Sequence, residues 1–282
     1  MNPESQVRQQ IDDAVVEHYF DGAGGTTAAS MSMMAHGHNL PLNAMAQRLA
    51  KEQKTIEGWL DAVDHSGKIL DVGCGAGAWV EIFANRYDGV IGIERSQLMV
   101  EAAKSRIAHL SNAEIITGDG RTDLPDGPFD MIFVGGLFMY LGDLDAMDLL
   151  DALKKRLETG GSIVLRESTV RTGVFVAKGE YEAIYRSVDS YHQLFQEAEI
   201  DCQEVLPNPG YRDIVMAEEL VRLRRKWLPF MPKDSAFLGN LTWWMLRGTA
   251  PISLWALPKA LSGLNVPWPR LQNHFFLLRP VC

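Results

Sequence analysis

The stretch KILDVGCGAGAW, residues 68–79, decides the fold. A short apolar run enters a glycine-rich loop that fits two fingerprints. Gly73, Gly75 and Ala78 match G-x-G-x-x-G/A, the turn that sets a dinucleotide pyrophosphate on a helix N-terminus. Asp71, Gly73, Gly75 and Gly77 match a D-x-G-x-G-x-G loop instead. Both need glycine, because a side chain would hold the ligand away from the backbone N–H groups. Residues outside the loop have to separate the two.

Downstream of the loop, short apolar runs alternate with helical segments, the pattern of a parallel sheet covered by helices. Strands are predicted at 68–72, 89–93, 113–117, 129–134, 162–166 and 200–206, with a late seventh at 274–279. Helices are predicted at 77–86, 96–109, 143–158 and 187–198; the last puts Tyr191, Leu194, Phe195 and Ala198 on one buried face. Upstream, residues 4–20 and 42–63 read as two helices joined by DGAGGTTAASMSMMAHGHN, a connection long enough to suggest a functional lid. The expected fold class is α/β: a Rossmann-like, seven-stranded, mostly parallel sheet with helices on both faces. The expected division is an N-terminal helical lid (1–66), an α/β core (67–206), a helical insertion or cap (207–272) and a final core strand (273–282).

Asp71 stands two residues before the first glycine, at the carboxyl end of its strand. An anion there suits a cation better than a pyrophosphate, since two negative groups in one crevice repel. S-adenosylmethionine, with its ammonium and sulfonium, meets that requirement. Glu94 follows 23 positions later at the end of the second strand, where an acid accepts hydrogen bonds from both ribose hydroxyls of either cofactor. Ser96 is a plausible N-cap for the helix after it. The third strand ends in TGDGRTDLP, with Asp119 and Gly120 at its tip.

At this point the sequence resembles the class I S-adenosylmethionine-dependent methyltransferases. The likeness continues through FDMIFVGGLFMYLGD (129–143), like that family's fourth strand and following loop, and LKKRLETGGSIVLRE (153–167), like its helix, Gly-Gly turn and fifth strand. The resemblance implies that Asp71, Gly73, Cys74, Gly75 and Gly77 line the methionine and ribose side of the cofactor. It implies that Glu94 binds the ribose hydroxyls, Arg95 lies along the adenine, and Asp119, Gly120 and Arg121 hold the adenine edge. Gly135 would approach the methionine backbone. The product would be S-adenosylhomocysteine.

Methyl transfer is an in-line displacement, so holding the partners in line supplies much of the catalysis, and no strong catalytic signature is expected. The N/D-P-P-Y/F loop of amine-modifying enzymes is absent, since VGGLFMY stands there. So are the clustered acids of metal-dependent catechol enzymes, and no metal is expected. Tyr140 and Glu167 are the candidate catalytic groups, as orienting residue or base. Arg166 at the fifth strand's end, with Tyr181, Tyr185 and Arg186 in GEYEAIYRSVDSYH, are the candidate substrate contacts. His36 and His38 in the N-terminal connection could close over the site or lie in solvent.

The composition, 46% hydrophobic and 22% charged over 282 residues, is that of a globular protein. Cys74, Cys202 and Cys282 are too scattered for a disulfide framework, which favours a cytoplasmic location. The N-terminus lacks the apolar core of an export signal. The net charge of −9 is segregated: ten Lys/Arg against four Asp/Glu in residues 207–282 give +6, leaving −15 for the rest. The overall sign disfavours nucleic acid. In the insertion, LTWWMLRGTAPISLWAL (241–257) is interrupted by Arg247 and Pro251, so a packed cap is expected rather than a spanning helix, with peripheral membrane contact as the rival. The function expected is methyl transfer to a small or medium-sized metabolite, anionic or amphipathic. A macromolecular acceptor, or a non-catalytic cofactor-binding subunit, is the alternative. Oligomeric state is not legible.

Overall fold

The first strand, β1 (Lys68–Val72), runs between β2 (Gly89–Glu94) and β4 (Phe129–Gly135), parallel to both, with Ile69 opposite Val90 and Met131. β3 (Ala113–Thr117) adds beyond β2, and β5 (Leu157–Val170) beyond β4, all parallel. β9 (Gln272–Pro280) pairs antiparallel with β5, and β8 (Ile200–Pro207) antiparallel with β9. These are the seven predicted strands. The structure, a computed structural model, describes residues 11–12, 14–16, 18, 40–179, 182–232, 235–264 and 268–281.

Both sheet faces are buried, as an alternating apolar strand dictates when helices cover each side. Ile69, Met131, Phe133, Val164 and Phe275 point to one face. There they meet α2 (Glu57–Asp61), α3 (Ala78–Ala84) and α4 (Gln97–Ile107) through Leu60, Trp79, Val80, Phe83, Val100 and Ala103. Leu70, Val72, Ile132, Val134 and Leu165 point to the other, against α5 (Asp143–Lys154) and α6 (Val188–Glu197). The predicted face of α6, Tyr191, Leu194, Phe195 and Ala198, is buried there.

A helical layer stands apart from these two faces. α1 (Leu42–Thr55), α7 (Pro209–Trp227) and α8 (Ala236–Gly248) share a third apolar cluster of Leu40, Ala44, Met45, Ile214, Met216, Ala217, Trp243 and Leu246. A π-helical turn (Pro251–Ala256) and α9 (Leu257–Gly263) follow. Asn208 caps α7 by accepting from Tyr211 N–H.

Four expectations need correction. The helix predicted over 42–63 divides at Ile56, whose φ of −105° and ψ of 14° bend the chain; the bend sends Ile56 and Leu60 to the sheet while α1 faces α7. The helix predicted over 143–158 stops at Lys154, because the chain from Leu157 already pairs with β4. Gly160 and Gly161 lie inside β5, not in a turn before it. The register slips between Phe129 and Met131, and a Cβ on Gly161 would sit 3.0 Å from the Phe129 carbonyl, so glycine makes this bulge possible. Finally, β6 (Val174–Ala177) and β7 (Ala183–Ser187) form an unpredicted hairpin on the end of β5, with Arg186 opposite Thr169. Most of the helix predicted over 4–20 and the whole connection 21–39, with His36 and His38, lie outside the described residues. Among the described residues no helix is long and apolar enough to cross a membrane.

Candidate functional site

The carboxyl ends of β1, β2, β4 and β5 open on one edge of the sheet, where parallel α/β sheets bind ligands. Gly73 and Cys74 N–H donate to the Ile93 carbonyl (2.9 and 3.0 Å), tying the loop after β1 to β2. Gly73, Gly75 and Gly77 have φ of +68°, +54° and +74°, which L side chains rarely adopt. Beyond that shared demand their surroundings differ. A Cβ on Gly75 would have nothing within 4 Å, and one on Gly73 only Leu137 at 4.0 Å, so both face open space. A Cβ on Gly77 would strike that of Ala103 at 3.0 Å, so this glycine lets α3 pack on α4.

Cys74 turns its side chain into the core, beneath Gly92, where burial pushes the thiol pKa well up. Its backbone alone can face a ligand. Asp71 is buried, one carboxylate oxygen has no hydrogen-bond partner, and burial pushes its pKa up to about 8 against the opposing pull of Arg166. Glu94 lies near enough to raise it further.

Glu94 holds the loop from the other side. One oxygen accepts from Gly75 N–H and the other from Arg95 and Ser96 N–H, each at 2.9 Å, while burial raises its pKa. At the tip of β3, Asp119 takes a forked pair of bonds from Arg121 (2.8 and 3.1 Å), with Arg95 at 3.7 Å. Burial raises the Asp119 pKa, but Arg121 outweighs it and holds the carboxylate below its usual range. A Cβ on Gly120 would lie 2.6 Å from Val72, so this segment rests directly on β1. Arg95, Asp119, Gly120 and Arg121 thus form one cluster at the β2 and β3 ends.

The β5 residues alternate between two environments. Arg166 reaches toward α1: its Nη1 donates to Glu52 at 3.2 Å and its Nη2 to the Gly135 carbonyl at 3.2 Å, while Nε is buried without a partner. Gly135 has no Cβ because the space holds the Arg166 guanidinium, 3.2 Å away. Glu167 turns the opposite way and is fully buried, accepting from Gly136 N–H (3.2 Å) and Phe138 N–H (3.1 Å) in the loop after β4. Burial pushes its pKa up to about 7.

Arg186, read from sequence as a substrate contact, is committed to the same loop. It is buried, donates to the Phe138 and Leu141 carbonyls (3.0 and 2.8 Å) and to Asp143 (2.6 and 2.9 Å), and lies over the Tyr191 ring. Glu167 takes the loop's N–H groups and Arg186 its carbonyls. The two clamp residues 136–141, and neither is presented to solvent. Tyr140 and Tyr185 are brought together with Met139 and Ala183 in a small apolar cluster beside this loop, and Tyr185 stacks on Phe175 at 6.2 Å. Tyr181 lies outside the described residues.

Sequence reading missed the buried polar group under α1. Glu52 is fully buried between Arg48 (3.6 Å), Arg166 and Asn208 (2.8 Å), and Asn208 also bonds Asn273 at 2.8 Å. Burial raises the Glu52 pKa, but Arg48 and Arg166 overcome this and hold it below the usual carboxylate range. Ser168 and Tyr211 join hydroxyls at 2.5 Å nearby. A signal was present: Met45, Arg48 and Glu52 share one helical face, so two charges lay on the apolar side of α1. Among the described residues, no group of three or more His, Cys, Asp or Glu is arranged to hold a metal ion.

Residues 69–161 match the family described as a methyltransferase domain. Trans-aconitate 2-methyltransferase of Rhizobium rhizogenes is 31% identical over 101 residues, 35% of this chain and 38% of the relative. Phosphoethanolamine N-methyltransferase 3 of Arabidopsis thaliana is 24% identical over 167 residues, 58% of this chain and 34% of the relative. The chain therefore spans less than half the length of these curated relatives, and the family match over residues 69–161 holds the glycine loop. Among solved structures, a SAM-dependent methyltransferase of Leishmania major aligns over 94% of this chain and 82% of its own, with a TM-score of 0.60 at 17% identity, which is a likeness of fold. The sheet order, the glycine loop and the matched residues 69–161 together make the chain similar to the class I S-adenosylmethionine-dependent methyltransferases.

Proposed function

We propose that this chain is an enzyme that moves the methyl group of S-adenosylmethionine to an oxygen or nitrogen of a small or medium-sized metabolite, without a metal, in the cytoplasm. The observation that carries the reading is the pairing of an open-faced glycine loop with a buried, unpartnered Asp71 oxygen. A buried polar atom left unpaired is costly, and a ligand cation would remove that cost. The Arg166 Nε, also unpartnered, supplies the opposite charge close by. A cation on β5 and an anion on β1, the strands on either side of β4, suit the amino-acid end of the cofactor. A pyrophosphate would meet Glu94, which repels it, and would favour the protonated form of Asp71.

When bound, the cofactor supplies an electrophilic methyl group; the methyl–sulfur bonding pair stays with sulfur as a lone pair of the acceptor atom forms the new bond. This chain's residues hold the partners in place. Gly73, Cys74, Gly75 and Gly77 present backbone to the methionine and ribose, Glu94 accepts from the ribose, and Arg95, Asp119, Gly120 and Arg121 take the adenine edge. The clamped 136–141 loop, with Gly135 before it, fixes the wall on the methyl side. Tyr140 and Tyr185 offer the acceptor an aromatic surface, and Tyr140 is the residue best placed to orient it. We assign Glu167 and Arg186 to positioning, since Glu167 Oε1 and the Arg186 guanidinium serve the loop, while Glu167 Oε2 is buried without a partner. Residues 1–66 and 207–272 are read as a lid and a cap on the core of 67–206 and 273–282.

The acceptor is proposed to be anionic or amphipathic. Incubation with S-adenosylmethionine and a panel of small carboxylic acids, phosphorylated amines and acyl conjugates tests this, reading S-adenosylhomocysteine release and methylated product by mass. A product from at least one small acceptor is expected. Methylation of protein or RNA alone, with every small acceptor inert, would contradict the proposal.

A further inference from the structure

The outer side of the α7–α8 layer is apolar where it meets solvent. Trp227, Phe230, Phe237 and Trp244 are 71%, 79%, 74% and 72% exposed, with Leu241, Met245 and Ile252 exposed among them. On α8 the pattern is that of a helix with two apolar sides. Gly239, Trp243 and Leu246 are buried against α1 and α7, while Phe237, Leu241, Trp244 and Met245 recur at spacings of three and four on the opposite side. Eight positions of sequence, 228–235, separate the end of α7 at Trp227 from the start of α8, and Phe230 is among them. Scattered surface leucines need no explanation, but a run of exposed large aromatics on adjoining helices does.

Charge identifies the occupant. Arg222, Arg225 and Lys226 lie in the last turns of α7, with Arg222 3.8 Å from Glu218 and Lys226 Nζ 5.7 Å over the Trp227 ring; Arg224 buries Nε and Nη1, Arg247 on α8 pairs with Asp213 at 3.7 Å, and Lys259 lies on α9. This part of the chain carries +6 in a protein of net −9. A second copy docked by the same face would bring like charges together. An anionic surface that accepts aromatic side chains would not. Among the described residues no helix is long and apolar enough to cross a bilayer, and exposed Trp and Phe beside cations suit a layer lying on one, with the rings at the headgroup boundary and the cations over the anionic lipids.

We propose that the outer face of α7 and α8 docks the protein on an anionic lipid bilayer. The proposal does not depend on the methyl-transfer reading. It is tested by flotation of the full-length chain with vesicles of phosphatidylcholine containing phosphatidylglycerol, and with vesicles of phosphatidylcholine alone, at low and high salt. The protein is expected to co-float with the anionic vesicles, to be released by salt, and to shift its tryptophan emission to the blue when bound. Exposed-site variants should keep the wild-type melting temperature: Phe237→Ser with Trp244→Ser should weaken vesicle binding by roughly 100-fold, and Lys226→Glu by roughly tenfold. Absence of co-flotation, or binding that survives the double substitution, overturns the proposal. So does a vesicle-free dimer dissociated by the same double substitution, which would assign the face to self-association.

Discussion

At the scale of single residues, the three loop glycines are not interchangeable. All share a positive φ, but Gly75 looks into open space while Gly77 abuts Ala103. A Gly75→Ala protein should therefore pay only the cost of a left-handed alanine, about 1–2 kcal/mol, and place its new methyl where a ligand would lie. Gly77→Val adds a clash with α4 and should lose about 3 kcal/mol or more. Thermal melts with calorimetric binding of S-adenosylhomocysteine separate the two. Gly75→Ala should remain folded with binding weakened at least roughly tenfold, about 1.4 kcal/mol, and Gly77→Val should melt early. Unweakened binding by Gly75→Ala would remove the loop from the site. At this scale the sequence was most legible: Asp71, Gly73, Gly75, Gly77 and Glu94 are within 24 residues, and the strand, turn and helix joining them follow from local rules. Cys74 shows what local reading leaves out, since the direction of its side chain is set by Gly92 on the next strand.

At the scale of elements, the informative object is the segment 136–141 between β4 and α5. It carries N–H groups and carbonyls that its own short 3-10 turn (Phe138–Tyr140) cannot all satisfy, and Glu167 and Arg186 supply the missing partners. Sequence analysis put Glu167 at the site by its strand end and Arg186 by the likeness of GEYEAIYRSVDSYH to an acceptor-lining segment; the structure shows both side chains bonded to the 136–141 loop, and the alternation along β5 and β7 decides what each touches. Glu167→Gln keeps an oxygen that accepts from Gly136 and Phe138, so it should retain the fold and methyl transfer within roughly tenfold. Glu167→Ala strands two buried N–H groups and should lose about 1–3 kcal/mol of stability. Were Glu167 the general base, Gln would cost about 10²–10⁴ in kcat. Melting curves and turnover of the two variants distinguish the roles. The β6–β7 hairpin was illegible because its pairing with β5 depends on long-range register rather than on a turn signal within GEYEAIYRSVDSYH.

At the scale of the whole molecule, a helical layer of α1, α7 and α8 adjoins the crevice edge through one buried ionic group, in which Glu52 on α1 holds Arg166 on β5 across 114 positions of sequence. No local motif announces a contact of that separation, although the charged pair Arg48 and Glu52 on the apolar face of α1 pointed to a buried partner. The seven strand positions and the helix-covered, mostly parallel sheet could be read from the apolar runs; how the late helices meet the N-terminal ones could not, because apolar helix faces do not specify their partners. What joins these scales is Asp71, a carboxylate that the fold buries unpaired and the cofactor reading fills with an ammonium group. Without that cation, burial holds its pKa near 8, so at neutral pH the ligand-free protein carries a proton there. A ligand cation favours the carboxylate and expels the proton at pH below about 8; a pyrophosphate favours its retention.

The most direct test is calorimetric titration of S-adenosylhomocysteine at pH 7 in buffers of different ionisation enthalpy, repeated with NAD and with Asp71→Asn. Binding of S-adenosylhomocysteine with release of a substantial fraction of a proton, lost in Asp71→Asn, and no binding of NAD, is the predicted result. Tight binding of NAD with proton uptake or none, and no response to S-adenosylhomocysteine, would contradict it.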